Sequence, residues 1–338
     1  MSKKIAVILL NLGTPDSKKA IEPFLMNFFM DKNIISAPLP IRFMLAKYIS
    51  KKRSKREAGV SYNELKNKSP LLKNCKKQAL ALGEILNDNN NNNNEDYEDK
   101  NLYKIFVSMR YWHPMSKQVL QDVRLWQADE IILLPLYPQY SITTTGSSFE
   151  DWKKSAKDLG YQVKTHFIKD YYDNEKYIKS SANNICTYYK KALKDGYKTP
   201  RILFSAHGLP EKVIKNGDPY QYQCEQSAQK IALLVAEKLD IADLDWQICY
   251  QSKVGRLKWI KPSIDDALDQ ASKDRKAVII YPHAFTQEHV ETLVELDIEY
   301  KKIADEKNIK GYYRVGTLGT SEIFITGLAD LIKEKINE

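Results

Sequence analysis

Residues 4–11, KIAVILLN, form a nearly uninterrupted apolar run. A strand that is apolar at every position, rather than at alternate positions, is typical of a parallel sheet covered by helices on both faces. Similar runs follow as YKIFVSM (103–109), EIILLPL (130–136), RILFSA (201–206), WQICYQS (246–252) and AVIIYP (277–282). Helix-like segments such as 69–86 and 174–194 separate them. The pattern predicts a doubly wound α/β protein.

The chain is long enough for two such domains. It has 338 residues, 43% of them hydrophobic and 28% charged, which suits a soluble globular protein. We expect the strand and helix pattern to run twice, through residues 1–165 and 166–312, with a tail at 313–338. The tail ends in an amphipathic helix for which Ser321 is a candidate N-cap. The stretch NDNNNNNN at 87–94 predicts an exposed loop insertion, because asparagine runs bury nothing.

Net charge, the N-terminal sequence and the cysteine content bear on the possible ligands and on the cellular compartment. The net charge of +9 is compatible with nucleic acid, anionic lipid or an acidic ligand, and charge alone does not choose among them. The start, MSKKIAVILLNLGTPD, is basic and then apolar like a signal peptide. It lacks a small-residue cleavage site, so it predicts the first buried strand of a cytoplasmic protein. The four cysteines form no CxxC pair and are expected to be reduced thiols.

Ligands of such folds bind beyond the carboxyl ends of the strands. The predicted strands deliver aromatic, basic and histidine residues there, as in RYWHP (110–114), YPQY (137–140) and HGLP (207–210). No GxGxxG, GxxxxGK[ST], HExxH or GxSxG motif is present. The strand ends therefore suit a flat, hydrophobic, anionic ligand better than a nucleotide.

The stretch AFTQEHVETLVELDIEY (284–300) follows the last apolar run and holds five carboxylates and a histidine. Thr286 is a candidate N-cap, and an α-helix from there would place Glu288, Glu291, Glu295 and Glu299 on one face. A solvated acidic face is one interpretation. A row of carboxylates that conducts a divalent cation or carries protons away is the other. Asp297 falls on the apolar side of this helix, which indicates a change of surroundings there.

Three further features have a structural and a functional interpretation. His207 follows a buried strand and precedes a Gly-Leu-Pro turn, so it is either a loop residue or a metal ligand or proton acceptor at the cleft. Trp259 is either a core residue or a stacking wall. Residues 36–56, SAPLPIRFMLAKYISKKRSKR, are either a helix with a basic end or an apolar lip that rests on anionic lipid. The other histidines, His113, His166 and His283, are weaker candidates.

Several motifs together resemble one family. LLNLGTPD, MRYWHP, LPLYPQYSITTTGSS, SAHGLP, QSKVGRLKW and FTQEHVETLVELDIEY occur in the order found in ferrochelatases, which insert Fe(II) into a porphyrin. The resemblance covers nearly the whole chain. It implies two Rossmann-like domains with a porphyrin cleft between them, and a C-terminal helix that returns to the N-terminal half.

The resemblance also implies roles for individual residues. His207 and Glu291 match the active-site histidine and its glutamate partner, which form the iron site and accept protons. Glu288, His289 and Glu295 match a secondary path for metal or protons. The positions around the macrocycle match Leu12, Arg110, Tyr111, Tyr137 and Trp259, with Arg110 suited to a propionate. The membrane lip corresponds to Ile41, Phe43, Met44 and Leu45.

The implied reaction is the insertion of Fe(II) into protoporphyrin IX with release of two protons, the terminal step of haem biosynthesis. Iron is a substrate, and no tightly bound cofactor is expected. Some relatives carry a [2Fe–2S] cluster, but this chain has no cysteine after Cys249, and we predict no cluster. The expected partners are protoporphyrin IX, Fe(II) and an anionic membrane surface at the inner face of the membrane, without nucleic acid.

Other functions remain open at this stage. The chain could use coproporphyrin III, or be a chelatase for another tetrapyrrole or metal. A different class is a carrier that binds haem or metal without accelerating insertion. LNLGTPD and ETLVELDIEY, together with the apolar lip, favour the protoporphyrin branch. The sequence does not give the oligomeric state.

Overall fold

The computed structural model describes residues 2–57, 69–88, 101–253 and 257–338, without the side chains of residues 56 and 57. Most of the asparagine run predicted to be a loop, and residues 254–256 of the QSKVG motif, lie outside these ranges. The described residues fall into two compact units. The N-terminal unit comprises residues within 1–137, 141–169 and 328–338, and the C-terminal unit comprises 138–140 and residues within 170–327.

The N-terminal unit contains a four-stranded parallel sheet. Its strands are β1 (Lys4–Asn11), β2 (Leu102–Met109), β3 (Glu130–Pro135) and β4 (Lys164–Phe167), in the order β2-β1-β3-β4. Its helices are α1 (Ile21–Phe29), α2 (Leu39–Glu57), α3 (Leu71–Asn87), α4 (Ser116–Trp126) and α5 (Ser147–Asp158), with a π-helical turn at Ile142–Gly146.

Strand β1 is buried on both faces, as its sequence predicts. Ala6, Ile8 and Leu10 alternate with Ile5, Val7 and Leu9, and none of the six is more than 2% exposed. The first set packs with Trp152 of α5 in one apolar cluster. Consecutive apolar residues are therefore all used, half on each side of the sheet.

The C-terminal unit repeats this topology. Its strands are β5 (Arg201–His207), β6 (Trp246–Gln251), β7 (Val278–Pro282) and β8 (Tyr312–Arg314), all parallel in the order β6-β5-β7-β8. Its helices are α6 (Glu175–Lys194), α7 (Glu211–Lys215), α8 (Tyr220–Leu239), α9 (Ile264–Lys273), a π-helix (Glu291–Glu299), α10 (Tyr300–Glu306) and the start of α11 (Glu322–Asn337).

Three details differ from the sequence-based expectations. The short strands β4 and β8 were not predicted, and the expected boundaries at 165 and 312 fall inside them. Thr286 is not a helix cap, because it lies in a bend and the helix begins four residues later at Val290. That helix is a π-helix over Glu291–Glu299, so the 100° spacing assumed for its carboxylates does not apply. Among the described residues, no helix combines the length and the apolarity needed to cross a bilayer.

Candidate active site

The carboxyl ends of the central strands of the second sheet position His207. It is the last residue of β5, which lies between β6 and β7. Its ring Nδ1 lies 2.7 Å from the Gly208 carbonyl oxygen, so Nδ1 carries a proton and donates it there. The opposite nitrogen, Nε2, then holds a lone pair and lies 3.7 Å from Glu291 Oε1. His207 remains 35% exposed, so this lone pair is accessible.

Glu291 lies between two histidines. Its Oε1 faces His207, and its Oε2 lies 3.8 Å from His289 Nε2. His289 packs edge-on against Phe285, with ring centroids 4.8 Å apart. Burial lowers the pKa of His289, although the nearby Glu291 and Glu288 oppose this. A neutral imidazole keeps a lone pair that can bind a cation. His207, Glu291 and His289 thus place a carboxylate between two imidazoles.

Neutral imidazole and carboxylate are suitable ligands for Fe(II). Among the described residues, no three histidine, cysteine or acidic side chains are grouped so that they could hold a metal ion. His207, Glu291 and His289 are therefore neighbouring donors in succession along the surface rather than a closed three-ligand group.

Glu295 lies one turn further along the π-helix and is held by the end of β6. Its carboxylate accepts hydrogen bonds from Ser252 Oγ at 2.7 Å and from Gln251 Nε2 at 3.0 Å. Burial, and then the charge of Glu291, raise the pKa of Glu295 to about 7. A carboxyl group with this pKa takes up and releases a proton near neutral pH.

Gln251 connects this carboxylate to the sheet. Its side-chain oxygen accepts from Ser205 Oγ at 2.8 Å, and its Nε2 also donates to the Glu291 carbonyl at 3.1 Å. Gln251 and Ser252 were not among the residues predicted for the site. The signal was available, because both lie in the QSKVG motif at the end of the predicted strand 246–252.

Glu288 is engaged elsewhere. Its carboxylate accepts from Arg314 at 2.6 Å, from Thr292 Oγ1 at 2.6 Å and from the Thr317 backbone N–H at 3.0 Å. Burial alone would raise the pKa of Glu288, but the Arg314 charge and these hydrogen bonds outweigh it, and the pKa is lowered. Arg314 also forms a two-pronged pair with Asp297, with both contacts at 2.7 Å. This pair explains why Asp297 departs from the acidic face.

Two of the expected macrocycle positions of the N-terminal unit, Arg110 and Tyr111, contact Asp31. Arg110 donates to Ser147 Oγ at 2.7 Å, lies 3.1 Å from Asp31 and 3.4 Å from Asp151, and is 17% exposed. Tyr111 is fully buried and donates to Asp31 at 2.7 Å. Arg110, predicted to bind a propionate, thus already has two carboxylate partners in this structure.

The remaining expected macrocycle positions are Leu12, Tyr137 and Trp259. Leu12 and Tyr137 are half-buried, and burial raises the pKa of Tyr137 well above its usual value. Trp259 is half-buried and packs over Gly208, where an added β-carbon would lie 3.2 Å from its ring. Trp259 therefore covers the residue that follows His207.

The predicted lip is the N-terminal part of α2. Its apolar side chains are exposed rather than packed, with Ile41 at 47%, Phe43 at 48%, Met44 at 63% and Leu45 at 40%. The basic residues at its other end include Lys51, Lys52 and Arg53.

The other histidines make local contacts outside this site. His113 contacts Gln118, His166 contacts Glu130, and His283 contacts Ser227. Burial lowers the pKa of His283 to about 4. These contacts agree with a structural role.

Comparison with known proteins gives one consistent result. A family model described as ferrochelatase matches residues 4–336. A ferrochelatase of Wolbachia sp. subsp. Drosophila simulans is 50% identical over 329 residues, which cover 97% of this chain and 98% of that protein. A ferrochelatase of Pelagibacter ubique is 46% identical over 332 residues, covering 98% and 91%. Among solved structures, SirB from Bacillus subtilis with Fe3+ matches with a TM-score of 0.51 at 14% identity, covering 98% and 95%, a likeness of fold alone.

Proposed function

The chain belongs to the ferrochelatase family, and we propose that His207 and Glu291 carry out its reaction. The enzyme inserts Fe(II) into protoporphyrin to form haem. Metalation removes two pyrrole protons and brings in one dication. The site must therefore accept protons and offer lone pairs to iron.

The observation that carries this proposal is the 3.7 Å approach of His207 Nε2 to Glu291, with His289 on the other carboxylate oxygen. The lone pair of His207 takes either a pyrrole proton or a coordination position on iron, because protonation removes the lone pair. Glu291 balances the charge of the dication. Glu295, with a pKa of about 7, receives protons from this pair and releases them.

We propose that Leu12 and Trp259 offer apolar faces to the macrocycle. Tyr111 is buried beneath Arg110, so its proposed contribution is to support Arg110 through Asp31 rather than to touch the porphyrin with its hydroxyl. Arg110 reaches a propionate only in competition with Asp31 and Asp151.

No resident cofactor takes part in this proposal. The four cysteines are buried, and burial raises the pKa of Cys75 and of Cys249 to about 12. A protonated, buried thiol is a poor iron ligand, which supports the absence of a cluster. An absorption spectrum of protein purified without oxygen tests this, since bands of a [2Fe–2S] centre would contradict it.

The test of function is anaerobic metalation followed by absorbance. Wild type, His207→Ala and the control His113→Ala receive Fe(II) with protoporphyrin IX or with coproporphyrin III. We expect His207→Ala to lose about 10²- to 10⁴-fold in rate and His113→Ala to match wild type. A His207→Ala protein as fast as wild type would overturn the site. Preference for coproporphyrin III would change the substrate, and tight haem binding without acceleration would indicate a carrier.

We also propose that α2 rests on an anionic membrane surface. The exposed Phe43 and Met44 would enter the lipid interface, and the lysines of the same helix would meet anionic headgroups. Phe43→Asp/Met44→Asp should lose flotation with vesicles containing phosphatidylglycerol. Leu233→Asp, which changes an exposed leucine of α8, should not. Equal flotation of both variants would contradict this proposal.

A further inference from the structure

Arg314 forms ion pairs with two carboxylates, Glu288 and Asp297. It ends β8 and is 14% exposed. Its Nε and Nη2 donate to the two carboxylate oxygens of Asp297, and its Nη1 donates to Glu288 and, at 3.3 Å, to the Val315 carbonyl. Such a forked contact to one carboxylate with a second carboxylate at the side requires the flat guanidinium group, which lysine lacks.

The two carboxylates, Glu288 and Asp297, lie before and after the segment 289–291 in the chain. Glu288 precedes His289, and Asp297 lies in the π-helix after Glu291. Thr292 ties the same segment together, because its hydroxyl contacts both the Glu288 carboxylate at 2.6 Å and the His289 carbonyl at 3.0 Å. Arg314 therefore fixes both ends of the stretch that presents His289 and Glu291 to His207.

From this geometry we infer that Arg314 is a positioning residue and that Glu288 is its anchor, not a carrier of iron or protons. The inference rests on the proposed function of His207 and Glu291. Both Glu288 oxygens already accept hydrogen bonds, and the positive charge beside them offsets the attraction of Glu288 for a second cation. The path for iron and protons then runs from His207 through Glu291 to Glu295, without Glu288.

The second sheet offers a matched control. Arg201 begins β5 and is 13% exposed. It donates to Asp245 at 2.7 Å and lies 2.9 Å from Asp274, so it also joins two carboxylates. Arg201 lies at the opposite end of β5 from His207. Its loss should affect stability in the same way as loss of Arg314, without touching the site.

The experiment compares Arg314→Gln, Arg314→Lys and Arg201→Gln with wild type in the same buffer. Thermal unfolding measures stability, and anaerobic metalation with Fe(II) and protoporphyrin IX measures activity. We expect kcat of Arg314→Gln to fall about 10²-fold, because an error of about 1 Å in placing reacting groups has that effect. The KM for protoporphyrin, and its binding measured by fluorescence, should stay within a factor of about three. Arg314→Lys should recover only part of kcat.

Arg201→Gln should lower the unfolding temperature as much as Arg314→Gln while leaving kcat unchanged. If both variants lose activity in proportion to their stability, the positioning role of Arg314 is wrong.

Glu288→Gln separates an anchor from a carrier. We expect it to leave the KM for Fe(II) unchanged, and Arg314→Gln/Glu288→Gln to be no slower than Arg314→Gln alone, because both changes break one contact. A large rise in the KM for Fe(II) in Glu288→Gln, together with an unaffected kcat in Arg314→Gln, would make Glu288 a carrier. Loss of the proposed function would instead appear in His207→Ala, which would remain as active as wild type.

Discussion

Replacing Glu295 with glutamine should change the free energy of unfolding more favourably at alkaline pH than at acidic pH. The pKa of Glu295 is about 7 in the folded protein, against an ordinary value of 4.5. The folded state therefore binds this proton more tightly than the unfolded state does. As pH rises from 4.5 to 7, the folded state progressively loses stability, and above pH 7 the full loss is present.

The size of this effect follows from the two pKa values. Their difference corresponds to about 3 kcal/mol at pH 8, of which less than 1 kcal/mol is already present at pH 5. Glutamine cannot ionise, so Glu295→Gln removes the whole term. The change in unfolding free energy caused by the substitution should therefore be about 2.5 kcal/mol more favourable at pH 8 than at pH 5.

Urea denaturation without metal or porphyrin, at both pH values, measures this difference. Glu306→Gln serves as the control, because Glu306 is a largely exposed residue of α10 and its weak pair with Lys302 spans 3.9 Å. Its effect should be the same at both pH values. If Glu295→Gln also has equal effects at pH 5 and pH 8, Glu295 is already ionised at pH 5 and does not hold a proton for the reaction.

Three further predictions test contacts within the two units. Asp31→Ala should cost about 3 kcal/mol in unfolding free energy, because it leaves Arg110 with one fewer carboxylate partner in a buried setting; urea denaturation measures it. Trp152→Ala should cost about 3–5 kcal/mol by the same assay, since the side chain is 1% exposed and fills the cluster beside β1. Gly208→Ala would place a β-carbon 2.9 Å from the Gln251 carbonyl oxygen, so it should cost about 1–3 kcal/mol and lower kcat while His113→Ala does not.

The six long strands could be predicted from the sequence because each is apolar enough to be buried. β4 and β8 could not, since they are short edge strands with partly exposed residues such as Tyr312 and Tyr313. Missing β8 also hid Arg314, whose importance depends on the strand that carries it. The π-helix was read as an α-helix because hydrophobic spacing over so short a segment does not distinguish the two.

The site was predictable where a motif ended a strand. His207 is the example, because it ends β5 and lies 3.7 Å from Glu291, while the role that the resemblance implies for the two residues stays a prediction. Glu288 and Arg110 illustrate the limit. The sequence shows that a charged residue is present at each position. Only the structure shows that Glu288 is paired with Arg314 and that Arg110 is paired with Asp31.

The π-helix makes chain length itself a functional variable. An insertion of one residue between Glu291 and Glu295 would move Glu295 one position along the π-helix and turn its side chain by roughly a quarter of a turn relative to Glu291. Glu295 would then lose Ser252 and Gln251, while Glu291 kept its place beside His207. Substitutions here change one side chain at a time, whereas a one-residue insertion would separate the Glu295 carboxylate from Glu291 without altering either side chain.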